Sequence, residues 1–316
     1  MRMENGQIVG RFAPTPSGQM HLGNLFAGLL AWLSVRSQGG KMILRMEDLD
    51  AERCREAYAD SIRRDLLWLG LDWDEETQPQ SQRGEIYQRY FVGLKERGLL
   101  YPCYCTRSQL HAIGAPHSSD GTYVYPGTCR DLTPEAQGSF GRRPAWRVRV
   151  PDETVFFTDG VQGAYQENLL KDCGDFVVRR ADGIFVYQLA VVVDDGLAGV
   201  SEVVRGADLL GSVARQMYLQ RLFGFVKPEY YHIPMALAPD GRRLSKRDGD
   251  LSLAALRQKM PKEKLLGFLG FAAGLLPSSE AISVEELTKA FSWEKVARIA
   301  KENPEGLRLP PELIEV

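Results

Sequence analysis

The stretch that decides the fold is RFAPTPSGQMHLGN, Arg11–Asn24. It joins a strand-like run, Gln7–Phe12, to the apolar run Leu22–Ser37 through a tight loop with two prolines and a glycine. Two glycines end the apolar run, and a second strand-like run, Lys41–Glu47, follows. A strand, a helix and a strand with a glycine-bearing loop after the first strand favour a parallel sheet with a right-handed crossover.

The start of the predicted helix, HLGN (His21–Asn24), has the pattern of an anion-binding site. The first N–H groups of a helix have no intrahelical partner, and the helix macrodipole favours negative charge there. Gly23 would let a ligand approach the backbone closely, and His21 can donate a hydrogen bond to a phosphate. We therefore interpret this segment as nucleotide-binding; the alternative is a glycine-containing helix start that binds nothing.

The composition is that of an ordinary globular protein. The 316 residues include 39 Lys and Arg against 41 Asp and Glu, for a net charge of -2. This excludes a global polycation, although local basic clusters could still contact nucleic acid. The N-terminus lacks a secretory pattern, and the most apolar segment, Leu265–Leu276, has only 12 residues. We therefore expect a cytoplasmic protein without membrane contact.

The order of patterns along the chain predicts several segments. Long amphipathic helices are predicted over about 51–69 and 84–97. Cysteines, glycines, prolines and short alternating runs then indicate an inserted module, after which strand and helix patterns return. The predicted fold class is α/β, with a Rossmann-like parallel-sheet domain in two halves (1–98 and 175–250), an inserted α+β module (99–174) and a short helical C-terminal extension (251–316).

A second motif, LSKR, follows the turn sequence PDG within His232–Asp250. Lys246 would stand there on a glycine-flanked loop, from which it could reach phosphates held by the first helix. Its charge would then stabilise the charge that builds up on a transferring phosphorus centre. Taken alone, such a run is commonly a solvated surface, but its pairing with HLGN favours nucleotide chemistry.

Together, RFAPTPSGQMHLGN and RRLSKRDGD resemble the two signature motifs of class I aminoacyl-tRNA synthetases, with HLGN in place of HIGH and RLSKR in place of KMSKS. RFAPTPSG, LRMEDLD and VYQLAVVVDD look like the glutamyl branch of that family. The chain departs from the family motifs at Asn24, Leu244 and Arg247. The resemblance implies His21 and Lys246 as catalytic residues. It implies that ATP is bound by His21, Gly23, Asn24, Arg243, Leu244, Ser245 and Lys246.

The resemblance also implies a pocket for glutamate that leaves the α-carboxylate free to attack ATP. An arginine fork binds a carboxylate bidentately, which suits Arg11 and Arg205, and Glu47 could pair with the ammonium group. Arg11 and Glu47 also end predicted strands, where open α/β sheets bind ligands. By similarity to the family, the pocket is completed by Ala13, Thr15 and Tyr187. For Arg45 and Asp50 we expect surface ion pairs.

The implied reaction is attack of the glutamate α-carboxylate on the α-phosphorus of ATP, assisted by Mg²⁺, to give glutamyl-adenylate and pyrophosphate. The segment after the second motif, 251–316, is too short for the large anticodon-reading domain of a full glutamyl-tRNA synthetase. The resemblance is therefore to a truncated branch that activates glutamate without tRNA and attaches it to queuosine in the anticodon of tRNA(Asp). We expect a monomer.

Three alternative functions remain open. A truncated enzyme could charge the 3′ end of a tRNA, and would differ only in its acceptor. An adenylyltransferase would share the helix start but would have no use for two carboxylate-binding arginines. A catalytically silent RNA-binding paralogue should have lost a signature residue, whereas His21, Gly23, Glu47 and Lys246 are all present.

Three of the five cysteines lie close together in the sequence, Cys103 and Cys105 in YPCYC and Cys129 in VYPGTCR. They could form a tetrahedral metal site with a fourth ligand, or be ordinary thiols. Chemistry alone nominates His111 or His117 before a tyrosine, because imidazole is the commoner ligand. The spacing C-x-C and then Y-x3-C resembles a zinc site of short glutamyl-synthetase relatives. The resemblance thus implies Zn²⁺ on Cys103, Cys105, Tyr125 and Cys129.

Overall fold

The structure, a computed structural model, describes residues 6–112, 124–238, 241–242 and 252–313. It contains the predicted strand, helix and strand in the predicted order as β1 (Val9–Phe12), α1 (Leu22–Ser37) and β2 (Lys41–Leu44). The helix has the predicted bounds, and both strands are shorter than predicted. Strand β1 stops before the segment with two prolines, which have no N–H to donate to a sheet.

The remaining elements alternate between helices and short strands. In chain order they are α2 (Glu56–Leu69), β3 (Glu75–Glu76), α3 (Gly84–Glu96), β4 (Leu100–Cys103), α4 (Arg107–Ala112), α5 (Pro134–Gly138), β5 (Ala145–Val148), β6 (Thr154–Asp159), β7 (Gly163–Asn168), β8 (Val177–Arg179), α6 (Tyr187–Leu197), β9 (Glu202–Gly206), α7 (Val213–Phe223), β10 (Glu229–Ile233), β11 (Ala236–Leu237), α8 (Leu253–Lys259), α9 (Lys262–Ala272), α10 (Val284–Ala290), α11 (Trp293–Glu302) and β12 (Leu307–Arg308). Short 3₁₀ turns occur at Gln80–Gln82, Ala207–Ser212 and Pro311–Leu313, and a π turn occurs at Leu169–Cys173. In the parts of the chain that the structure describes, no helix is long and apolar enough to cross a bilayer.

The main sheet has the strand order β10-β9-β1-β2-β3, and the neighbouring strands run parallel. The chain starts at β1 in the middle, moves to β2 on one side and returns later to β9 on the other side. Helix α1 lies directly on β1 because Gly10 has no Cβ; one added there would lie 2.3 Å from Val35 Cγ2. The carboxyl ends of β1 and β9 therefore meet the start of α1 at one edge of the sheet.

The inserted segment forms a three-stranded antiparallel sheet, β4-β5-β8, and the hairpin β6-β7. Strand β8 belongs to this sheet although it follows position 174, the predicted end of the module. The hairpin packs against β10, where the N–H of Gly160 donates to the carbonyl of Tyr230 at 2.8 Å. The domain boundaries stay a prediction, but the contact places one end of the hairpin beside the main sheet.

The C-terminal extension is mostly helical, as predicted, and it packs on the main sheet domain. Helices α8 to α11 share a hydrophobic core with α1 and α2. Strand β12 pairs in parallel with β11, so that Leu307 lies opposite Ala236. Ser252, just before α8, forms an isolated bridge with His21. The extension thereby contacts the main sheet domain at two places next to the start of α1.

Candidate active site

A cavity of about 610 Å³ lies at the carboxyl ends of β1 and β9. This is the point where the chain changes direction across the sheet, and open α/β sheets bind ligands at such points. The loop after β1, the starts of α1 and α6, and the segments after β2, β9 and β10 all contribute to its walls. Among its lining residues are the predicted positions Arg11, Ala13, Thr15, His21, Gly23, Asn24, Glu47, Tyr187 and Arg205.

The predicted ATP-binding residues of the second motif lie outside the described residues. They are Arg243, Leu244, Ser245 and Lys246. The described residues on both sides of this segment are placed next to the cavity: Ala236 lines it, and Ser252 bridges to His21. The roles of the four residues stay predictions.

His21 is the N-cap of α1, and its ring points back to the helix backbone. Its Nδ1 accepts hydrogen bonds from the N–H groups of Gly23 at 3.1 Å and Asn24 at 3.4 Å. Because Nδ1 accepts, the neutral ring carries its proton on Nε2, from which it can donate to a phosphate. A Cβ at Gly23 would lie 3.1 Å from the His21 ring, so the glycine also makes room for the imidazole. The pattern did not predict that two N–H groups of the helix start would be used in this way.

Arg205 is held by four neighbours and is only 6% exposed. Its Nε donates to His232 Nε2 at 2.9 Å, and its Nη1 donates to Gln216 Oε1 at 2.9 Å and Tyr187 Oη at 3.3 Å. Its Nη2 donates to the carbonyl of Leu209 at 3.3 Å. A guanidinium fixed in this way loses little side-chain freedom when it binds a carboxylate.

Arg11, Arg45 and Glu47 are joined through the carboxylate of Asp195 on α6. Asp195 lies 3.4 Å from Arg11 Nε and 2.7 Å from Arg45 Nη1, and Arg45 Nη2 donates to Glu47 at 3.1 Å. Burial would raise the pKa of Asp195, but Arg45 and Arg11 outweigh it and lower the pKa, so the carboxylate is ionised. The network fixes two of the predicted glutamate-binding side chains relative to each other.

The prediction of a surface ion pair for Arg45 is wrong, because its side chain is only 1% exposed. The side chain lies 2.7 Å from the carboxylate of Asp195 and 3.8 Å from that of Asp194, since a buried charge must be paired. The corresponding prediction for Asp50 is confirmed: it lies 4.0 Å from Arg53, and both side chains are exposed. The run VVVDD could have predicted buried pairing of the α6 carboxylates, because two carboxylates in an otherwise apolar helix require partners.

Asp194 forms a second buried centre behind this network. Its Oδ1 lies 2.7 Å from Arg83 Nε, and its Oδ2 accepts from Tyr87 Oη and Gln80 Nε2, both at 2.9 Å. These partners come from α3 and the turn before it, so Asp194 joins α3 to α6. Arg45 Nε also lies 3.8 Å from the carboxylate. No local pattern in the sequence predicts the partners of this centre.

The cysteine cluster is formed as the spacing predicts. The sulfur atoms of Cys103, Cys105 and Cys129 lie within 4.8 Å of one another. Tyr125 Oη lies 3.5 Å from both Cys103 Sγ and Cys105 Sγ, and the Cys105 and Cys129 sulfurs are 3.6 Å apart. A tetrahedral zinc site with bonds of about 2.3 Å has edges of about 3.8 Å, so these four groups fit one metal ion.

The thiols of the cluster differ in pKa: burial raises the pKa of Cys105 to about 11, whereas the pKa of Cys103 is lowered. Burial would raise the pKa of Cys103, but Arg147 and the hydrogen bond with Tyr125 lower it below the ordinary value. Burial and hydrogen bonds with the cysteines raise the pKa of Tyr125, so without a metal the phenol keeps its proton. The alternative ligands are not placed, because His117 and the side chain of His111 lie outside the described residues.

Comparison with known proteins identifies the class. Residues 7–307 match the family described as tRNA synthetases class I (E and Q), catalytic domain. The chain therefore belongs to the class I tRNA synthetases, a family of ligases, as the sequence motifs predicted.

Three individual proteins show which members of this family the chain is similar to. The glutamyl-Q tRNA(Asp) synthetase of Symbiobacterium thermophilum is 46% identical over 97% of both chains. That of Nitratidesulfovibrio vulgaris is 48% identical, covering 85% of this chain and 87% of the relative. A crystal structure of a glutamate tRNA ligase from Elizabethkingia meningosepticum, in complex with its amino acid, has a TM-score of 0.82 and 26% identity, covering 98% of this chain and 68% of that one. These matches confirm the predicted α/β fold with a parallel sheet.

Proposed function

We propose that the protein activates glutamate with ATP, without requiring tRNA, and transfers the glutamate to queuosine in the anticodon of tRNA(Asp). The observation that carries the proposal is a single cavity. Its walls contain two hydrogen-bonded arginines, Glu47 and the helix start at His21. The names of the curated relatives support the same acceptor. The cytoplasmic location and the monomeric state stay predictions.

In this proposal Arg205 and Arg11 bind the side-chain carboxylate of glutamate. Hydrogen bonds to described neighbours occupy four of the five N–H donors of Arg205, which fixes the direction of the fifth. Arg11 uses Nε for Asp195 and Nη1 for the carbonyl of Val204. Glu47 pairs with the ammonium group, and Ala13, Thr15 and Tyr187 complete the pocket. The α-carboxylate is then left to attack the α-phosphorus of ATP.

Catalysis would consist of positioning and electrostatic stabilisation. The His21 ring, with its proton on Nε2, donates to a phosphate, and Lys246 adds positive charge. Gly23, Asn24, Arg243, Leu244 and Ser245 complete the ATP site. A Mg²⁺ ion bound to the phosphates of ATP would neutralise further charge.

The test is glutamate-dependent exchange of labelled pyrophosphate into ATP, with Mg²⁺, with and without tRNA. Exchange without tRNA supports the proposed activation, and mapping labelled glutamate to the anticodon or the 3′ end of tRNA then identifies the acceptor. Label at the 3′ end would contradict the queuosine acceptor. Exchange that requires tRNA would contradict independent activation, and no exchange in either condition would favour the silent RNA-binding alternative.

Glutamate binding should weaken as the pH falls. Burial raises the pKa of Glu47 above its ordinary value of 4.5, although Arg45 and Arg11 act to lower it. Only the ionised carboxylate can pair with an ammonium group, so protonation at low pH removes the contact. We expect the KM for glutamate in pyrophosphate exchange to rise as the pH falls towards this raised pKa.

The matched variants for this pH prediction are Glu47→Gln and Glu153→Gln. Glu47→Gln should have a high glutamate KM that no longer changes in this acidic range. Glu153 lies in an exposed ion pair with Arg221, and its glutamine variant should keep the wild-type profile. If Glu47→Gln kept the wild-type profile, Glu47 would not be the titrating group.

We also propose that Cys103, Cys105, Tyr125 and Cys129 bind one Zn²⁺ ion, which would stabilise the module around β4 by linking two chain segments. Cys129→Ser is expected to abolish stoichiometric zinc and to lower Tm by about 5 °C or more, because metal binding contributes directly to folding. The measurements are metal content by mass spectrometry and thermal unfolding with and without a chelator. Cys54→Ser, which lies away from the cluster, should keep its zinc. Equal zinc content in both variants would refute the site.

A further inference from the structure

Arg205 is the end of a buried chain of hydrogen bonds that begins in the inserted hairpin. Asp159, at the end of β6, lies 2.6 Å from Nδ1 of His232 on β10, and Nε2 of His232 accepts from Arg205 Nε at 2.9 Å. His232 lies opposite Arg205 in the pairing of β10 with β9. The His232 side chain is 0% exposed, so water does not compete for either contact.

The position of the proton on His232 follows from the geometry of these hydrogen bonds. A guanidinium can only donate, so Nε2 of His232 must be the acceptor and Nδ1 must carry the proton that is donated to Asp159. Burial lowers the pKa of His232 and the charge of Arg205 adds to this, which keeps the ring neutral despite Asp159. Asp159 also accepts from the N–H groups of Val161 and Gln162, both at 2.9 Å. The imidazole is therefore fixed in both tautomer and rotation.

We propose that Asp159 and His232 are positioning residues for glutamate activation, which hold the Arg205 guanidinium in the orientation that binds the substrate carboxylate. Among the described residues, His232 is the hydrogen-bond partner of Nε. The partners Tyr187, Gln216 and Leu209 hold the two Nη atoms. The contact at Nε limits rotation of the whole fork. A hairpin of the inserted segment thus acts on substrate binding by the main sheet; the inference rests on the proposed function.

Two substitutions of His232 separate this role from a purely structural one. The amide of glutamine can place Oε1 near the position of Nε2, so His232→Gln keeps an acceptor for Arg205. The amide of asparagine can place Nδ2 near the position of Nδ1, so His232→Asn keeps the donor to Asp159 and leaves Arg205 Nε without an acceptor. Both variants remove the ring and leave one amide, so their effects on packing are similar.

The expected result in pyrophosphate exchange is a glutamate KM for His232→Asn on the order of tenfold or more above that of His232→Gln. The KM for ATP should be similar in the two variants. Asp159→Asn can still accept from the imidazole, but without charge, and should raise the glutamate KM by a smaller factor.

The matched control is Gln162→Ala, because Nε2 of Gln162 donates to the carbonyl of His232 at 2.7 Å. This variant removes a tie between the hairpin and β10 without touching the His232 ring. It should lower Tm and leave the glutamate KM unchanged, and it provides the comparison with Asp159→Asn if the His232 variants fold poorly.

Equal glutamate KM values for His232→Asn and His232→Gln would overturn the positioning role. So would a loss in which Asp159→Asn and Gln162→Ala behave alike. These results differ from failure of the proposed function, because in that case the wild-type enzyme itself would show no glutamate-dependent exchange.

Discussion

Replacing Arg205 by alanine is expected to raise the KM for glutamate in pyrophosphate exchange by about thirtyfold or more, since truncating one partner of a buried charge pair costs about 2–5 kcal/mol. The guanidinium is the charge that the carboxylate of glutamate would meet at the carboxyl end of β9. Arg205→Lys should also bind glutamate poorly, because an ammonium group cannot reproduce the planar fork held by His232 and Gln216.

The control for this prediction is Arg221→Ala on α7. Arg221 is 54% exposed and pairs with Glu153 at the surface, so its loss should leave the glutamate KM unchanged. The KM for ATP and the Tm of each variant show whether the effect is confined to glutamate. An Arg205→Ala enzyme with the wild-type glutamate KM would remove Arg205 from the glutamate site.

Asp194→Ala is expected to destabilise the protein by about 3–5 kcal/mol, the usual cost of removing one partner from a buried ion pair. The carboxylate is 2% exposed and has Arg83, Tyr87 and Gln80 as partners. Its removal leaves a guanidinium and two further donors without an acceptor inside the protein. A loss of this size is a large part of the total stability of a typical domain, about 5–15 kcal/mol. Urea unfolding measures it directly.

Asp131→Ala provides the matched surface variant. Asp131 is 86% exposed and pairs with Arg149 at 3.2 Å, and such pairs contribute about 0–1 kcal/mol. Its unfolding midpoint should stay close to that of the wild-type protein. Similar midpoints for Asp194→Ala and Asp131→Ala would show that the buried centre does not contribute as its geometry indicates.

The sequence was sufficient for those parts of the fold that depend on neighbouring residues. The apolar run that forms α1 ends at glycines, and the runs before and after it contain β-branched residues. The order of these elements and the parallel sheet could therefore be predicted. The predicted lining residues that the structure describes lie at strand ends, at helix starts or in the loops that directly follow β1 and β2. Their common location follows from the parallel order of the strands.

The sequence was not sufficient where partners are far apart in the chain. Arg45 was misplaced at the surface because its acidic partners on α6 come about 150 residues later and no local pattern connects them. Asp159 and His232 meet only because the hairpin docks on β10, which depends on packing between two sheets. A single polar residue in a sequence usually has no role in a buried network, and only its tertiary contacts show whether it has one.

The pairing of β12 with β11 has a consequence for how far such a chain could be shortened. In the sequence, β11 lies between residues of the cavity wall and the second signature motif. The helices after that motif are followed by β12, which pairs with β11. A truncation that removed Leu307–Arg308 would remove the partner strand of β11, although these two residues lie about 60 positions after the second motif. The stability of β11 is therefore expected to depend on residues that follow α11, well beyond the second motif.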